Sequence, residues 1–450
     1  MVTLKSFLGM IAAVPFIMAC NQTGQVNATL FPASGSENVN PDTHLVLTFS
    51  ETPVLGDSGM IRVYDAVTDQ VVDSLDLSIP PGPTESRTYG PECDYTKVPY
   101  DYTRTVMPTN KDTRPGTPSG TAEPTPPVYQ LTIIGGFTDA FHFYPVIVRD
   151  SIATIYLHNN MLEYGHTYYV TIDNGVLNLA DGSFQGVTKE DEWVFTTKSD
   201  MLELSDTLIV DVAGKGDFNT VQGALDFIPD FNEQQTVILV NPGDYEELVY
   251  TRNKWHVKIK GAGMADTKVH YANNEVFNPH PLTVKTNEWP GTFPSRRAAF
   301  MLDNCKDIVI EDMTIATDLK GQAEGLLING ERIALYRVHI IGSGDALQAN
   351  GTIYMESCEL DGGGDTILGR GSLFAYKSNF RNGGGPFSWV RNTVGNHGNV
   401  FVECTFSTED GKQADYGRTK SNHGSAYPDA EFVLIDCKVK NIIPEGWSSI

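Results

Sequence analysis

The chain has 450 residues and a mass of 49.3 kDa; 40% of the residues are hydrophobic and 20% charged. This balance excludes wholesale disorder and a polytopic membrane protein, and the length exceeds one ordinary domain, so two domains are expected. Asp and Glu number 56 against 32 Lys and Arg, a net charge of −24; such a surface repels polyphosphate, and no nucleic acid partner is expected.

Residues 1–20 read as an export signal, with Lys5 as the charged start, an apolar run from Phe7 to Ala19, and a small residue at the cut. The run is too short to span a bilayer. Ile17-Met18-Ala19-Cys20 resembles a bacterial lipobox, which makes Cys20 the acylated first residue of an exported lipoprotein at the outer membrane. The membrane is then met only through that anchor. The alternative is a plain secretory signal. The other cysteines, Cys93, Cys305, Cys358, Cys404 and Cys437, are odd in number and have no C-x-x-C spacing, so neither a disulfide framework nor a zinc site is encoded.

Residues 27–198 alternate apolar and polar positions in short runs such as His44 to Phe49, Ile61 to Tyr64 and Thr167 to Ile172, separated by Gly, Asn, Asp and Pro turns. The pattern predicts a β-sandwich. Pro32 to Gly35, Leu47 to Ser50, Tyr168 to Ile172 and the closing Trp193 to Thr197 resemble bacterial Ig-like domains. Between Pro80 and Pro127 lie 11 of the 25 prolines, which predicts an extended insertion over 80–127 rather than sheet core. Its tyrosines, Tyr89, Tyr95, Tyr100 and Tyr102, either stack on a sugar or pack the loop onto its own domain.

From Leu208 a repeat appears, with apolar residues at the first, third, sixth and eighth places. Its members are Ile308, Ile310, Met313, Ile315; Ile333, Leu335, Val338, Ile340; Ile353, Met355, Cys358, Leu360; Leu373, Ala375, Ser378, Phe380; and Phe432, Leu434, Cys437, Val439. The first four start 25, 20 and 20 residues apart. Short period-2 strands at such spacing, without a helical stripe, predict a parallel β-helix over 208–450. Near Val400 the pattern is one residue shorter, so an irregular coil is expected there. Cys358 and Cys437 take the same inward place, with Cys404 close to it, as small core hydrophobes. Thr220 to Ile228 predicts a short helix capping the first coil. The fold class is therefore all-β, a β-helix behind a sandwich.

Asp345 follows Ile333 by 12 residues and Asp365 follows Ile353 by the same 12, which stacks the two carboxyl groups about 4.8 Å apart on one outer face. Like charges that close cannot both ionise freely, so the pair divides into an acid and a base or nucleophile. Gln322 falls near the same column one coil earlier, as an oxyanion donor. The competing reading is that aspartates in solenoid turns only satisfy local backbone groups.

From Val210 to Trp447 the chain resembles the pectin methylesterase family, whose fold is a right-handed parallel β-helix. The resemblance rests on Asp211 to Gln222, on Pro242-Gly243-Asp244-Tyr245-Glu246-Glu247 (P-G-x-Y-x-E), on Gly261 to Gly263 and on Gln322-Ala323-Glu324-Gly325-Leu326 (Q-A-V-A-L). It continues through Gly344-Asp345-Ala346-Leu347 (Q-D-T-L), Asp365-Thr366-Ile367-Leu368-Gly369 (D-F-I-F-G), Tyr416-Gly417-Arg418-Thr419 (in L-G-R-P-W) and Pro444-Glu445-Gly446-Trp447 (P-A-G-W). It implies Asp365 as nucleophile, Asp345 as acid and then base, Arg418 as the partner orienting Asp365, and Gln322 on the oxyanion. It implies no metal or organic cofactor, a methyl-esterified pectin substrate, and a monomer.

The departures are specific. Gly344 replaces the glutamine of Q-D-T-L, removing one oxyanion donor. Thr366, Leu368, Gln348 and Lys420 replace family aromatics, and Trp389 and His423 are candidates for rebuilding a sugar platform. Two alternatives to an exported pectin methylesterase are a non-catalytic, glycan-binding envelope lipoprotein and a chain-cleaving β-helix enzyme.

Overall fold

The computed structural model describes residues 26–82, 129–137, 141–278, 296–392, 394–418, 421–422 and 425–448. The signal with Cys20, most of the Pro-rich insertion with its four tyrosines, Cys93, Lys420 and His423 lie outside the described residues. Among the described residues no helix is long and apolar enough to cross a membrane.

The N-terminal part folds into two sheets around one core. Thr29–Phe31, Leu45–Thr48, Ile152–Ile155 and Val146–Arg149 form a four-stranded sheet. Ser36–Val39, Val194–Thr197, Thr167–Ile172, Met60–Asp65 and Gln70–Asp76 form a five-stranded one. The alternation read from the sequence sorts the faces: Leu45, Leu47, Ile61, Val63, Val170, Ile172 and Phe195 are all fully buried in a shared core. Trp193 lies there too, and its indole N–H finds the Pro32 carbonyl at 2.8 Å, as a buried indole requires.

From Thr207 a 20-stranded sheet winds into a parallel β-helix with three faces. The predicted repeat forms its core: the first, third, sixth and eighth places are buried in the coils that start at Ile308, Ile333, Ile353 and Leu373, whereas in the last coil Phe432, Leu434 and Cys437 are partly buried and Val439 is exposed. Ile333 pairs in register with Ile353, Ile353 with Leu373, Leu373 with Asn399 and Asn399 with Phe432. This corrects the expected irregularity near Val400. The coil is regular and starts at Asn399, a buried polar residue whose side-chain amide meets the Glu431 carbonyl at 3.5 Å. Its following places are Phe401, Cys404 and Phe406, all fully buried. Cys404 therefore shares the inward place of Cys358 and Cys437; Cys358 and Cys404 are buried, Cys437 half-buried, and all three thiols are free. Burial pushes the Cys358 and Cys404 thiols up to about 11, which suits inert core residues.

In the six coils from Ile308 onward, one corner is made by a non-glycine residue in the left-handed region. Asp312, Arg337, Ser357, Lys377, Glu403 and Asp436 have φ between 49° and 59°. Each sits between the third and sixth places, where the chain must turn from one face to the next. The conformation costs roughly 1–2 kcal/mol per residue, which the ladder hydrogen bonds and the buried rows on either side offset. Several corners also pair along the axis, Arg337 with Asp312 at 2.6 Å and Lys377 with Glu403 at 3.8 Å.

The first coil is capped by helix α1, Val221–Phe227, close to its predicted span. Thr220 is the N-cap, its hydroxyl accepting from the Gly223 N–H at 2.9 Å. The helix lies between the β-helix and the sandwich, so most of its residues are buried. The two halves also share an apolar cluster. Ile134, Phe137 and Phe141 pack on Leu248, Tyr250, Tyr271, Phe277, Met301 and Leu327. Tyr250, Met301 and Leu327 are in register on successive coils, so the sandwich covers the early coils of the face that carries the site.

Candidate active site

The strands Leu326–Glu331, Leu347–Ala349 and Ile367–Gly369 are consecutive on one face, with Leu326 opposite Leu347 and Leu347 opposite Ile367. Two residues before each of these starts stand Glu324, Asp345 and Asp365, which therefore form one column. The ladder continues beneath the aspartates: the N–H groups of Ala346 and Leu347 both reach the Thr366 carbonyl, at 3.2 and 3.0 Å. Asp345 and Asp365 thus occupy equivalent places one coil apart, as their spacing predicts, and both are nearly buried, at 7% and 4% exposure.

The third member of that column is Glu324, 16 residues after Ile308 where the aspartates follow their strand starts by 12, because the turn into this coil is four residues longer; Gln322 lies two residues before it. Gln322 nevertheless joins the aspartates through a residue that the sequence reading passed over. Arg297 donates from Nη1 to Gln322 Oε1 at 2.6 Å, from Nε to both Glu324 oxygens at 2.8 and 2.9 Å, and from Nη2 to Asp345 Oδ2 at 3.0 Å. The Glu324 side chain is entirely buried, and a fork-to-fork contact with a guanidinium is what makes a buried carboxylate tolerable. Burial opposes the charge on Arg297, but Glu324 and Asp345 outweigh it and raise its pKa further. Arg297 precedes the strand Phe300–Thr317 and carries no motif; two arginines directly before an apolar strand start were the one available signal.

The turns leading to the aspartates are built of glycine because adjacent coils approach closely there. A Cβ on Gly363 would lie 2.1 Å from the Ser343 carbonyl oxygen, and one on Gly344 2.8 Å from that of Gly321. Gly344 does not sit in the left-handed region, so crowding by the neighbouring coil, rather than its own φ, excludes a side chain. A groove of about 730 Å³ runs along the turns at Gly342, Ser343, Gly362 and Gly363; Lys320 and Arg381 line it together with the carboxylates of Asp318, Asp361, Glu409 and Asp410, while Gln322, Asp345 and Asp365 do not. Arg381 bonds Asp361.

The other named residues divide. Thr366 is fully buried, and its hydroxyl accepts from the Asn382 amide at 3.0 Å, so this place faces inward and away from any sugar. Gln348, Leu368 and Trp389 lie in register on the outer side of the face. Trp389 is half-buried, with the Arg391 guanidinium 4.3 Å from its ring centre; one face of the indole is already occupied. Arg418 lies in the short strand Gly417–Arg418, paired with Trp447–Ser448. The bridge between Pro386 and Asp415 continues the Asp365 column, which puts the Arg418 backbone two coils beyond Asp365.

Among the described residues one group has metal-ligand spacing, Glu246, His270 and Asp318. It is already saturated: His270 lies 2.5 Å from Asp318 and 2.8 Å from Asp244, and Arg149 lies 2.5 Å from Glu246. Burial alone would lower the imidazole pKa, but these carboxylates push it to about 9. The cluster is an ion-pair network between the two halves of the chain.

A parallel β-helix that stacks carboxyl groups on one outer face, beside an amide held in place, is the framework of a β-helix hydrolase. The pectinesterase family model matches residues 207–449, just over half of the chain, and the chain belongs to that family of carboxylic ester hydrolases. It is 28% identical over 279 residues to pectinesterase QRT1 of Arabidopsis thaliana, covering 58% of this chain and 70% of that one. With the probable pectinesterases 67 and 49 of the same plant it is 26% and 27% identical, spanning 53% and 44% of their lengths. Among solved structures, the pectin methylesterase from carrot aligns with a TM-score of 0.44 and 17% identity, over 56% of this chain and 79% of that one. The pectin methylesterase PemA from Erwinia chrysanthemi aligns at 0.43 and 17%, over 55% and 81%.

Proposed function

We propose that this protein hydrolyses the methyl esters of pectin, with Asp365 as nucleophile and Asp345 as acid and base. The observation that carries the reading is the placement of the two aspartates at equivalent places of successive coils, beside the amide of Gln322. One Asp365 oxygen attacks the ester carbonyl carbon, and the carbonyl oxygen becomes an oxyanion facing Gln322. As the tetrahedral intermediate collapses, the C–O bond to the alcohol breaks and Asp345 gives its proton to the departing methanol. Water then attacks the acyl-enzyme and loses a proton to Asp345, and the new acid leaves as Asp365 is released. Every step is a proton transfer or an acyl transfer, so no metal or organic cofactor is called for. Arg418 is assigned to orient Asp365, its backbone lying two coils beyond.

The chain is further proposed to act outside the cell as a monomer held to the membrane by an acylated Cys20. The reaction is tested by incubating the full chain with highly methylated pectin and following two products. Methanol without new reducing ends is the expected result. New reducing ends would instead favour the chain-cleaving reading, and binding without either product a glycan-binding lipoprotein.

A further inference from the structure

We infer that Arg297 is a positioning residue of the esterase site, an inference that rests on the ester-hydrolase reading above. A guanidinium has donors only. The Gln322 atom 2.6 Å from its Nη1 must therefore be the amide oxygen, whichever way an amide would otherwise be assigned. That choice leaves the Gln322 NH₂ on the side away from Arg297, as the only end of this half-buried side chain able to donate to an oxyanion. Arg297 thus fixes both the rotamer and the sense of the amide.

The same guanidinium fixes the acid. Its Nη2 holds Asp345 Oδ2 at 3.0 Å while its Nε and Nη2 grip Glu324. Hydrogen bonds to three partners, with the buried Glu275 carboxylate a fourth at 4.0 Å, leave a planar fork no freedom to rotate, so Gln322 and Asp345 are held in one frame anchored on a fully buried carboxylate. If Arg297 served only to neutralise Glu324, the contacts to Gln322 and Asp345 would be superfluous. The crowding at Gly344 gives the arrangement its importance. No side chain can enter there, so that place supplies no amide and Gln322 carries more of the task, and a donor that is free to turn contributes little to a transition state. Lysine would keep the charge beside Glu324, but its one nitrogen cannot serve Gln322, Glu324 and Asp345 together.

The test measures methanol release from methylated pectin by the full chain and by Arg297→Lys, Gln322→Ala and the double variant, with a melting curve for each. Arg297→Lys is expected to lose about 10²-fold in kcat with KM within about threefold. The double variant is expected to lose clearly less than the product of the two single losses, because part of what Arg297 does passes through Gln322. Should Arg297→Lys fail to fold, Arg297→Gln combined with Glu324→Gln removes both charges at little change in volume, and the same loss of kcat is expected at a near-normal Tm. Wild-type kcat in Arg297→Lys or in the neutral pair would overturn the inference, as would single losses that multiply in the double variant. If the wild type is active and Asp365→Asn is not, those results condemn the role of Arg297 alone. A wild type that releases no methanol overturns the hydrolase reading and this inference with it.

Discussion

Asp42 of the sandwich caps the helix of the β-helix half: its Oδ2 accepts from the Thr220 N–H at 2.9 Å and from the Thr220 hydroxyl at 2.8 Å. The N-cap residue is thus itself held by a carboxylate from the other half of the chain. Glu247 completes the junction, with one oxygen on the Val221 N–H at 2.8 Å and the other on that of Gln222 at 2.9 Å. Negative groups suit a helix N-terminus, yet Glu247 is buried and Asp42 half-buried, and both lose water. That loss raises the pKa of Asp42 and pushes that of Glu247 to about 7 despite the two N–H bonds.

This places a titration at the junction. Glu247 has a higher pKa folded than unfolded, so between about 4.5 and 7 the native state binds more protons, and its contribution to stability falls as pH rises through that window. Desolvation lowers the pKa of half-buried His44 and of buried His142, which titrate in the opposite sense, so the wild-type profile alone does not isolate Glu247. The difference between wild type and Glu247→Gln does. The variant should gain on the wild type by up to roughly 3 kcal/mol between pH 4.5 and 7.5, measured by urea unfolding. A pH-independent difference would refute the assignment.

The catalytic pair is tested by non-additivity. Asp345→Asn and Asp365→Asn should each lower kcat by about 10³-fold or more, and the double variant should lose little beyond the worse single, as expected of groups sharing one reaction. Melting temperatures should change little, since each amide stays in a place built for a polar side chain. Two losses that multiply would mean independent roles.

How far the sequence shows this molecule depends on which residues carry each feature. The inward rows were legible because core burial demands apolar residues at fixed places, and the equal offsets of Asp345 and Asp365 carried over from those rows to the outer face. Asn399 was not legible, because a polar residue held the inward place and shifted the apparent start of its coil to Val400. Gln322 could be set only near the column, not two residues before Glu324, because turn length, unlike strand spacing, has no fixed period. Contacts made by single polar side chains across long separations left no trace: Arg297 to Glu324 spans 27 residues and Asp42 to Thr220 spans 178. They follow from the fold and cannot precede it.

The anchor is tested by fractionation. Cys20→Ser removes the thiol that would carry the acyl chains, and the protein should move from the membrane fraction to the soluble one. Two acyl signals give stable attachment and none gives none. Mass spectrometry of the mature N-terminus should find the lipid on Cys20; an unmodified cysteine with unchanged fractionation would sink the proposal.

Restoring a glutamine at Gly344 tests the crowding between coils. From the sequence alone, Gly344→Gln promises a second oxyanion donor and a faster enzyme, provided the backbone accepts a side chain. The coil spacing removes that proviso, because the first atom of any side chain would sit 2.8 Å from the Gly321 carbonyl oxygen, and backbone is poorly able to retreat. Gly344 also anchors the next coil, its carbonyl accepting from the Gly364 N–H at 2.6 Å, so displacing it would disturb the turn that aims Asp365. Gly344→Ala should therefore already cost about 1–3 kcal/mol and lower kcat, with Gly344→Gln no better. A Gly344→Gln variant that melts like the wild type and releases methanol faster would show that the two coils part readily, and that the site has room for the donor it lacks.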